Sequence, residues 1–166
     1  MEFINYLTIK TAIGRVGIAE SPIGICAIYF DDNGGFLEYL QKTFSNSSFN
    51  KISQVKSKWA RDVISVIDNP KLKIKIPLDI RGTDFQKSVW LELLKITCGK
   101  RVSYKYIAEK IGNVQAVRAV ANACGANKIP IIIPCHRVIA SDGSLGGYSG
   151  NGGIKTKQKL LEREVS

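Results

Sequence analysis

The chain has 166 residues, 24 of them basic and 14 acidic, and its formal net charge of +10 predicts a polyanionic partner or an acidic surface. A hydrophobic content of 45% excludes intrinsic disorder and collagen-like repeats. No apolar run approaches the roughly 20 residues of a membrane helix, and no secretory signal pattern is present, so we expect a cytoplasmic, intracellular protein without a membrane partner.

Residues 1–81 are predicted to form an N-terminal α/β scaffold domain. Three segments rich in β-branched and aromatic residues, separated by turn residues, predict an antiparallel meander: 4–10, 15–19 and 23–30. Helical spacing follows at 36–44 and 57–67, and residues 73–80 are predicted to be extended with an interruption at Pro77. No catalytic constellation is present in this half.

Residues 82–166 are predicted to form a second domain that is mostly helical. Thr83 and Gln86 have the spacing of a capping box at the start of a helix. Two further helices, at 103–111 with Ser103 as N-cap and at 114–126, predict a helix-turn-helix. A plain helical hairpin would give the same pattern, but seven basic residues against one acidic residue between Lys100 and Arg137 favour DNA as the partner.

The elements that follow surround a Cys-His dipeptide. The apolar run 129–134 is predicted to be extended and buried, and it ends next to Cys135. Residues 138–140 and 145–148 predict a small hairpin around a turn at Ser141-Asp142-Gly143. Residues 154–164 predict a closing helix with Leu160 and Leu161 facing inward.

Cys135 and His136 are the candidate reactive pair. The four cysteines lack any C-x-x-C spacing and His136 is the only histidine, so no metal and no cofactor is expected. A thiol reacts as thiolate, and an imidazole is a suitable proton acceptor near neutral pH. Because adjacent residues do not face each other on a helix, we expect a bridging water between them. A carboxylate would fix the imidazole tautomer, and six acidic residues of this half are candidates: Asp84, Glu92, Glu109, Asp142, Glu162 and Glu164.

The hexapeptide from Ile133 to Val138 resembles the active-site motif of the O6-alkylguanine-DNA alkyltransferases, also called methylated-DNA–protein-cysteine methyltransferases. Other parts of the second half resemble this family in the same order: Phe85 to Trp90, Ser103-Tyr104, Arg118-Ala119-Val120, Asn127 and Gly146 to Gly150. The resemblance implies an α/β two-part chain. Residues 1–81 would be a ribonuclease-H-like α/β domain with a small antiparallel sheet, and residues 82–166 a winged-helix-like domain containing the helix-turn-helix.

The resemblance also implies DNA repair by direct reversal. The alkyl group of O6-alkylguanine would move irreversibly, once per chain, to Cys135, and O4-alkylthymine is left open as a second substrate. The protein would bind double-stranded DNA through the minor groove as a monomer and flip the damaged base out of the helix.

Residue roles follow from the same resemblance. The implied catalytic residues are Cys135 as acceptor, His136 as water-mediated base, Glu164 as its carboxylate with Glu162 as the alternative, Asn127 as a brace and Tyr104 as a proton source. The implied DNA- and substrate-binding residues are Arg118, inserted into the base stack, Tyr148, Ser149 and Pro130, lining the base pocket, and Ser103, Ala119 and Val138. Binding is expected to weaken with salt.

Two other function classes remain to be distinguished. A lesion sensor or helix-turn-helix regulator would bind DNA with Cys135 dispensable. Relatives that only recognise lesions carry tryptophan in place of the acceptor cysteine, so the presence of Cys135 disfavours the sensor. A cysteine hydrolase is disfavoured because its base usually lies far from the nucleophile in the sequence.

Overall fold

The computed structural model describes residues 1–146 and 152–165. The chain divides into two compact units, Met1–Ile80 and Arg81–Ser166. Across these two described stretches, none of the helices combines the length and the apolar character that crossing a lipid bilayer would require.

The first unit is built on a four-stranded sheet. Strands β1 (Glu2–Thr11), β2 (Gly14–Glu20) and β3 (Ile25–Phe30) form the predicted antiparallel meander. Strand β4 (Ser47–Lys51) escapes prediction because its residues, SSFNK, lack a β-branched or alternating apolar pattern. It pairs with β1 in parallel, and the strand order is β3-β2-β1-β4. The sheet is therefore mixed, and the prediction of a purely antiparallel sheet is wrong.

Two helices bury apolar side chains in this unit. Helix α1 (Phe36–Thr43) provides the crossover that a parallel β1–β4 pair requires, and its Phe36 and Leu40 join the core. The ring of Phe36 lies so close to Gly17 that a Cβ there would come within 2.3 Å of it. Helix α2 (Ala60–Asp68) follows a 3-10 turn at Gln54–Lys56. The predicted extended stretch 73–80 pairs with the sheet through a bridge between Leu78 and Ile25.

The second unit is mostly helical, as predicted. Its elements are α3 (Asp84–Leu93), β5 (Val102–Ser103), α4 (Tyr104–Lys110), α5 (Val117–Gly125), a 3-10 turn (Cys135–Arg137), β6 (Val138–Ile139) and α6 (Gly153–Val165). The capping box is confirmed, since Thr83 Oγ1 accepts from the Gln86 amide at 3.1 Å and the Thr83 amide donates to Gln86 Oε1 at 3.0 Å. Ser103 is the N-cap of α4, accepting from the Tyr106 amide at 2.9 Å. Helices α4 and α5 correspond to the two predicted segments.

One local prediction around the cysteine, the extended conformation of residues 129–134, is wrong. Residues 129–134 are mostly buried but form turns, with Ile131 at φ +77° and the Ile133 amide donating to Ile129 O. Asn127 explains the bend, because its side chain binds the backbone near both ends of this run. The predicted turn at 141–143 is present, with the Gly143 amide donating to Ala140 O and the Ala140 amide donating to Ser144 O, both at 3.0 Å. Residues 147 and 148 of the second predicted arm lie outside the described residues, so the hairpin stays a prediction. Strand β6 pairs in parallel with β5.

Candidate active site

Cys135 and His136 begin a single 3-10 turn that follows the mostly buried residues 129–134. Both are buried, with 5% and 2% of their surfaces exposed. The Cys135 amide donates to Ile133 O at 2.8 Å and the Arg137 amide to Pro134 O at 3.0 Å, so backbone hydrogen bonds fix the turn on both sides of the thiol. The thiol is therefore held by its backbone rather than carried on a mobile loop.

Asn127 shapes the segment that leads to Cys135. Its Nδ2 donates to Ile133 O at 2.8 Å, and its Oδ1 accepts from the Ile129 amide at 2.9 Å. Both polar atoms of the Asn127 amide thus bind backbone groups. Asn127 therefore affects the thiol indirectly, by fixing the conformation of the segment before Cys135.

His136 lies against a carboxylate at the end of α6. Its Nε2 is 2.7 Å from Glu164 Oε1, and both side chains are almost fully buried. Arg137 Nε donates to the same oxygen at 2.8 Å, and the Gly99 amide donates to Glu164 Oε2 at 3.1 Å. Of the acidic residues left open by the sequence, Glu164 is the one that contacts the imidazole, while Glu162 is exposed.

Electrostatics define the protonation of this pair. Burial lowers the pKa of His136, and the nearby Glu164 carboxylate does not fully offset this effect. Burial would raise the pKa of Glu164, but the hydrogen bonds and charges of His136, Gly99 and Arg137 hold that pKa below its usual range. An ionised Glu164 can only accept, so His136 Nε2 carries the proton and Nδ1 is the unprotonated nitrogen. Nδ1 is buried and has no hydrogen-bond partner among the described residues. It is the basic atom of the site.

Tyr104 forms a second polar group with Lys157, a residue that the sequence did not single out. The Lys157 side chain is fully buried, and its Nζ lies 3.3 Å from Tyr104 Oη. Burial and the neighbouring thiols of Cys124 and Cys135 raise the pKa of Tyr104 to about 12, so the phenol is protonated at neutral pH. A signal for Lys157 does exist in the sequence, because it shares a helix face with Leu160, Leu161 and Glu164.

The predicted DNA- and substrate-binding residues have varied environments. Arg118 and Ala119 are exposed at the start of α5, Ser103 is half-buried, and Pro130 and Val138 are buried. Tyr148 and Ser149 lie outside the described residues.

The other cysteines are not reactive candidates. Cys26 and Cys124 are buried, Cys98 is half-buried, and none of the four cysteines is in a disulfide. Burial and the neighbouring Cys135 thiol raise the pKa of Cys124 well above its usual value, so Cys124 stays protonated at neutral pH.

Known proteins resemble both the whole chain and its second unit. Residues 84–166 match the family model described as 6-O-methylguanine DNA methyltransferase, DNA binding domain. The Escherichia coli "Bifunctional transcriptional activator/DNA repair enzyme Ada" is 43% identical over 163 residues, which are 98% of this chain and 46% of the relative. The chain thus spans less than half the length of that relative. A probable methylated-DNA–protein-cysteine methyltransferase of Acanthamoeba polyphaga mimivirus is 38% identical over 90% of this chain and 96% of its own length.

Solved structures agree with the sequence relatives. The crystal structure of Mycobacterium tuberculosis OGT in complex with DNA has a TM-score of 0.77 and 35% identity, covering 96% of this chain and 92% of that one. The O6-methylguanine-DNA methyltransferase from the archaeon Pyrococcus kodakaraensis has a TM-score of 0.70 and 28% identity, covering 98% of this chain and 99% of that one. The fold is therefore shared along nearly the entire chain.

Proposed function

The chain belongs to the 6-O-methylguanine DNA methyltransferase family, and we propose that it repairs DNA by moving the alkyl group of O6-alkylguanine irreversibly to Cys135. The observation that carries this proposal is the 2.7 Å contact between His136 and the buried Glu164, directly beside the thiol in the chain. The DNA-bound Mycobacterium tuberculosis relative supports DNA as the substrate.

The thiol is activated by His136. Its proton passes through one water to Nδ1, while Glu164 keeps the other proton on Nε2 and stabilises the imidazolium that forms. The sulfur then attacks the alkyl carbon, the bond from that carbon to O6 breaks, and its electron pair goes to the guanine. The guanine takes up one proton, so the thiol hydrogen and the alkyl group in effect exchange places.

Tyr104 supplies the proton that the leaving guanine needs. Its phenol is protonated at neutral pH because its pKa lies at about 12. A hydrogen bond donated to the guanine strengthens as negative charge develops there, so it favours the transition state over the ground state. Asn127 supports both groups indirectly by holding the segment before Cys135.

DNA is bound by the helix-turn-helix formed by α4 and α5. Arg118 is exposed and able to enter the base stack, and the small exposed Ala119 beside it allows close approach to the minor groove. Ser103, as the N-cap of α4, fixes the start of this motif. Basic residues around the motif neutralise phosphates, so affinity falls with salt. The flipped base is received near Pro130, Val138, Tyr148 and Ser149.

We also propose a fold type for each half of the chain. Residues 1–81 form a ribonuclease-H-like scaffold domain, supported by the strand order β3-β2-β1-β4 with β4 parallel to β1. Residues 82–166 form a winged-helix-like, alkyl-accepting domain, supported by the small β5–β6 sheet that accompanies the helices. We propose that the protein acts inside the cell as a monomer and uses no cofactor.

Intact mass spectrometry tests the proposed function. After incubation with a duplex containing O6-methylguanine, each chain should gain one methyl group in place of the thiol hydrogen and gain no more with excess substrate. The Cys135→Ser variant should bind the duplex but keep its mass. A wild-type chain that binds the duplex and keeps its mass would leave a lesion sensor or a regulator as the function. An O4-methylthymine duplex tests the second substrate in the same way.

A further inference from the structure

Three exposed lysines lie within five positions near the end of the first unit. Lys71 belongs to a turn, and Lys73 and Lys75 follow on a stretch outside any helix. Ile74 is half-buried and Ile76 is buried, so from Lys73 onward the side chains alternate between solvent and the interior, as they do on an extended chain. The three lysines therefore share one surface, which we call the lysine strip.

The lysine strip holds the positive charge of the first unit. Residues 1–80 carry ten basic and eight acidic side chains, and without the strip seven basic residues would remain against the eight acidic ones. The sequence has no acidic residue between Asp68 and Asp79. Among the residues that the structure describes, none of the three ammonium groups is in an ion pair. The strip is thus a local concentration of unneutralised positive charge.

The backbone of the strip is fixed at both ends. At its start, the Asn69 side chain accepts from the Lys71 amide at 3.1 Å, and the Leu72 amide donates to Asn69 O at 3.0 Å. Just after its end, Pro77 O accepts from the Ile25 amide of β3 at 2.9 Å. Because the backbone is held before any partner arrives, binding costs less conformational entropy than the ordering of a loose tail would.

The length of the strip suits the phosphates of a nucleic acid. Side chains two positions apart on an extended chain are about 7 Å apart, so the strip spans at most about 14 Å. One strand of duplex DNA has a phosphate about every 3.4 Å along the helix axis, so about four phosphates lie opposite this length. Lysine binds phosphate as a point charge and does not read bases in doing so.

We propose that the lysine strip is a second phosphate-binding surface, which contacts the backbone of double-stranded DNA outside the helix-turn-helix. This inference rests on the proposed function, because it takes DNA as the partner of the chain. Contacts to phosphates alone carry no sequence information, so the strip adds affinity for damaged and undamaged DNA alike. The first unit then helps to hold the DNA on which the second unit acts.

Salt-dependent binding to an unmodified duplex of about 30 base pairs, about 100 Å long, tests the proposal. The variant with Lys71→Gln, Lys73→Gln and Lys75→Gln together should bind at least about tenfold more weakly than wild type at about 0.1 M salt. Its plot of log affinity against log salt concentration should be shallower by about 2 to 3, since each lost phosphate contact removes about 0.9 from the slope.

A matched control removes the same net charge from exposed lysines elsewhere in the first unit, by changing to glutamine Lys10, Lys51 and Lys56. Lys10 lies on β1 and Lys51 on β4, towards the edge of the sheet opposite β3, whereas the segment after the strip pairs with β3. This variant separates direct contact from long-range attraction. Its slope should differ from that of wild type by less than about 1.

Chemical protection measures the contact directly. Duplex DNA should protect the strip lysines from acetylation by an amine-reactive reagent, as read by peptide mass spectrometry, whereas the three control lysines should react equally with and without DNA. Protection of the strip that appears without DNA as the protein concentration rises would overturn the proposal and identify a second copy of the chain as the partner.

The binding data can also overturn the proposal. Equal losses of affinity and slope in the two triple variants would mean that only net charge matters, and a strip variant that binds like wild type would remove the role altogether. Both variants should keep the wild-type urea midpoint, because all six side chains are exposed. If the strip variant is less stable, the single substitutions replace it, each with an expected loss of about 0.9 in slope.

The mass measurement separates the two levels of failure. A wild-type chain that takes up one methyl group while the two triple variants bind alike would overturn only the role of the lysine strip. A wild-type chain that neither binds the duplex nor takes up a methyl group would overturn the proposed function and this inference with it.

Discussion

Replacing Glu164 by glutamine tests the buried charge network, because the change keeps the shape of the side chain and removes its charge. The carboxylate accepts three hydrogen bonds, two on Oε1 from His136 Nε2 and Arg137 Nε at 2.7 and 2.8 Å and one on Oε2 from the Gly99 amide at 3.1 Å. A glutamine amide has one accepting oxygen and one donating nitrogen. Whichever way the glutamine amide is turned, its NH2 group therefore faces an N–H donor, either that of Gly99 or those of His136 and Arg137.

Both orientations of the amide are costly. With its nitrogen towards Gly99, one hydrogen bond is lost and two become bonds to a neutral acceptor. Since bonds to charged groups contribute about 1.5–3 kcal/mol each, we expect Glu164→Gln to lower the free energy of unfolding by about 3 kcal/mol. With its nitrogen towards His136, the imidazole must place its proton on Nδ1 and loses its basic atom, and we expect alkyl transfer to slow about 100-fold.

Glu162→Gln is the matched control, because Glu162 is an exposed carboxylate on the same helix. Urea unfolding measures the stability change, and a single-turnover assay with an O6-methylguanine duplex measures the rate. The reasoning is refuted if Glu164→Gln unfolds and transfers like Glu162→Gln, since the buried contacts would then contribute neither to stability nor to the imidazole's role.

Three further predictions concern stability, each measured by urea unfolding. The folded-state pKa values of His136 and Glu164 are both lowered, so the unfolded chain takes up protons on these groups before the folded chain does. The free energy of unfolding should therefore fall as the pH drops below about 6.5, by up to about 1.4 kcal/mol per pH unit for each group. A free energy of unfolding that stays constant down to about pH 4 would contradict this. Asn127→Ala removes two hydrogen bonds and should lower the free energy of unfolding by about 2 kcal/mol. An unchanged urea midpoint would mean that the bend at 129–134 is stable without the Asn127 side chain. Thr83→Ala removes the N-cap of α3 and should cost about 1 kcal/mol, whereas Thr83→Ser should restore most of it.

Local signals in the sequence predict the elements that local interactions determine. The caps at Thr83 and Ser103 depend on residues three positions apart, and both are present as expected. Strand β4 has no such signal, since its place is set by its pairing with β1 about 45 residues earlier. The two-residue strands β5 and β6 are too short for any periodic pattern. The bend at 129–134 depends on one side chain, Asn127, which redirects an otherwise strand-like apolar run.

The site shows the same division between local and tertiary information. The Cys135-His136 dipeptide is visible in the sequence, whereas the carboxylate partner lies 28 residues further along the chain. Composition reduced the candidates to six acidic residues, and only the packing of α6 distinguishes buried Glu164 from exposed Glu162. Lys157 was overlooked because a lysine in a basic helix is ordinarily solvated.

Helix α6 connects the two halves of the proposed chemistry. Its buried face carries a cation, Lys157, against Tyr104 and, about two turns later, an anion, Glu164, against His136. Buried charges seldom stabilise a fold as well as apolar residues of similar size would, so two on one helix face indicate selection for something other than stability. The sign of each charge suits its proposed role. The Glu164 carboxylate stabilises the imidazolium that forms when the thiol loses its proton, and the Lys157 ammonium stabilises the phenolate that forms when the guanine gains a proton. A shift of α6 would therefore disturb proton removal and proton delivery together, although neither Lys157 nor Glu164 has to touch the alkyl group.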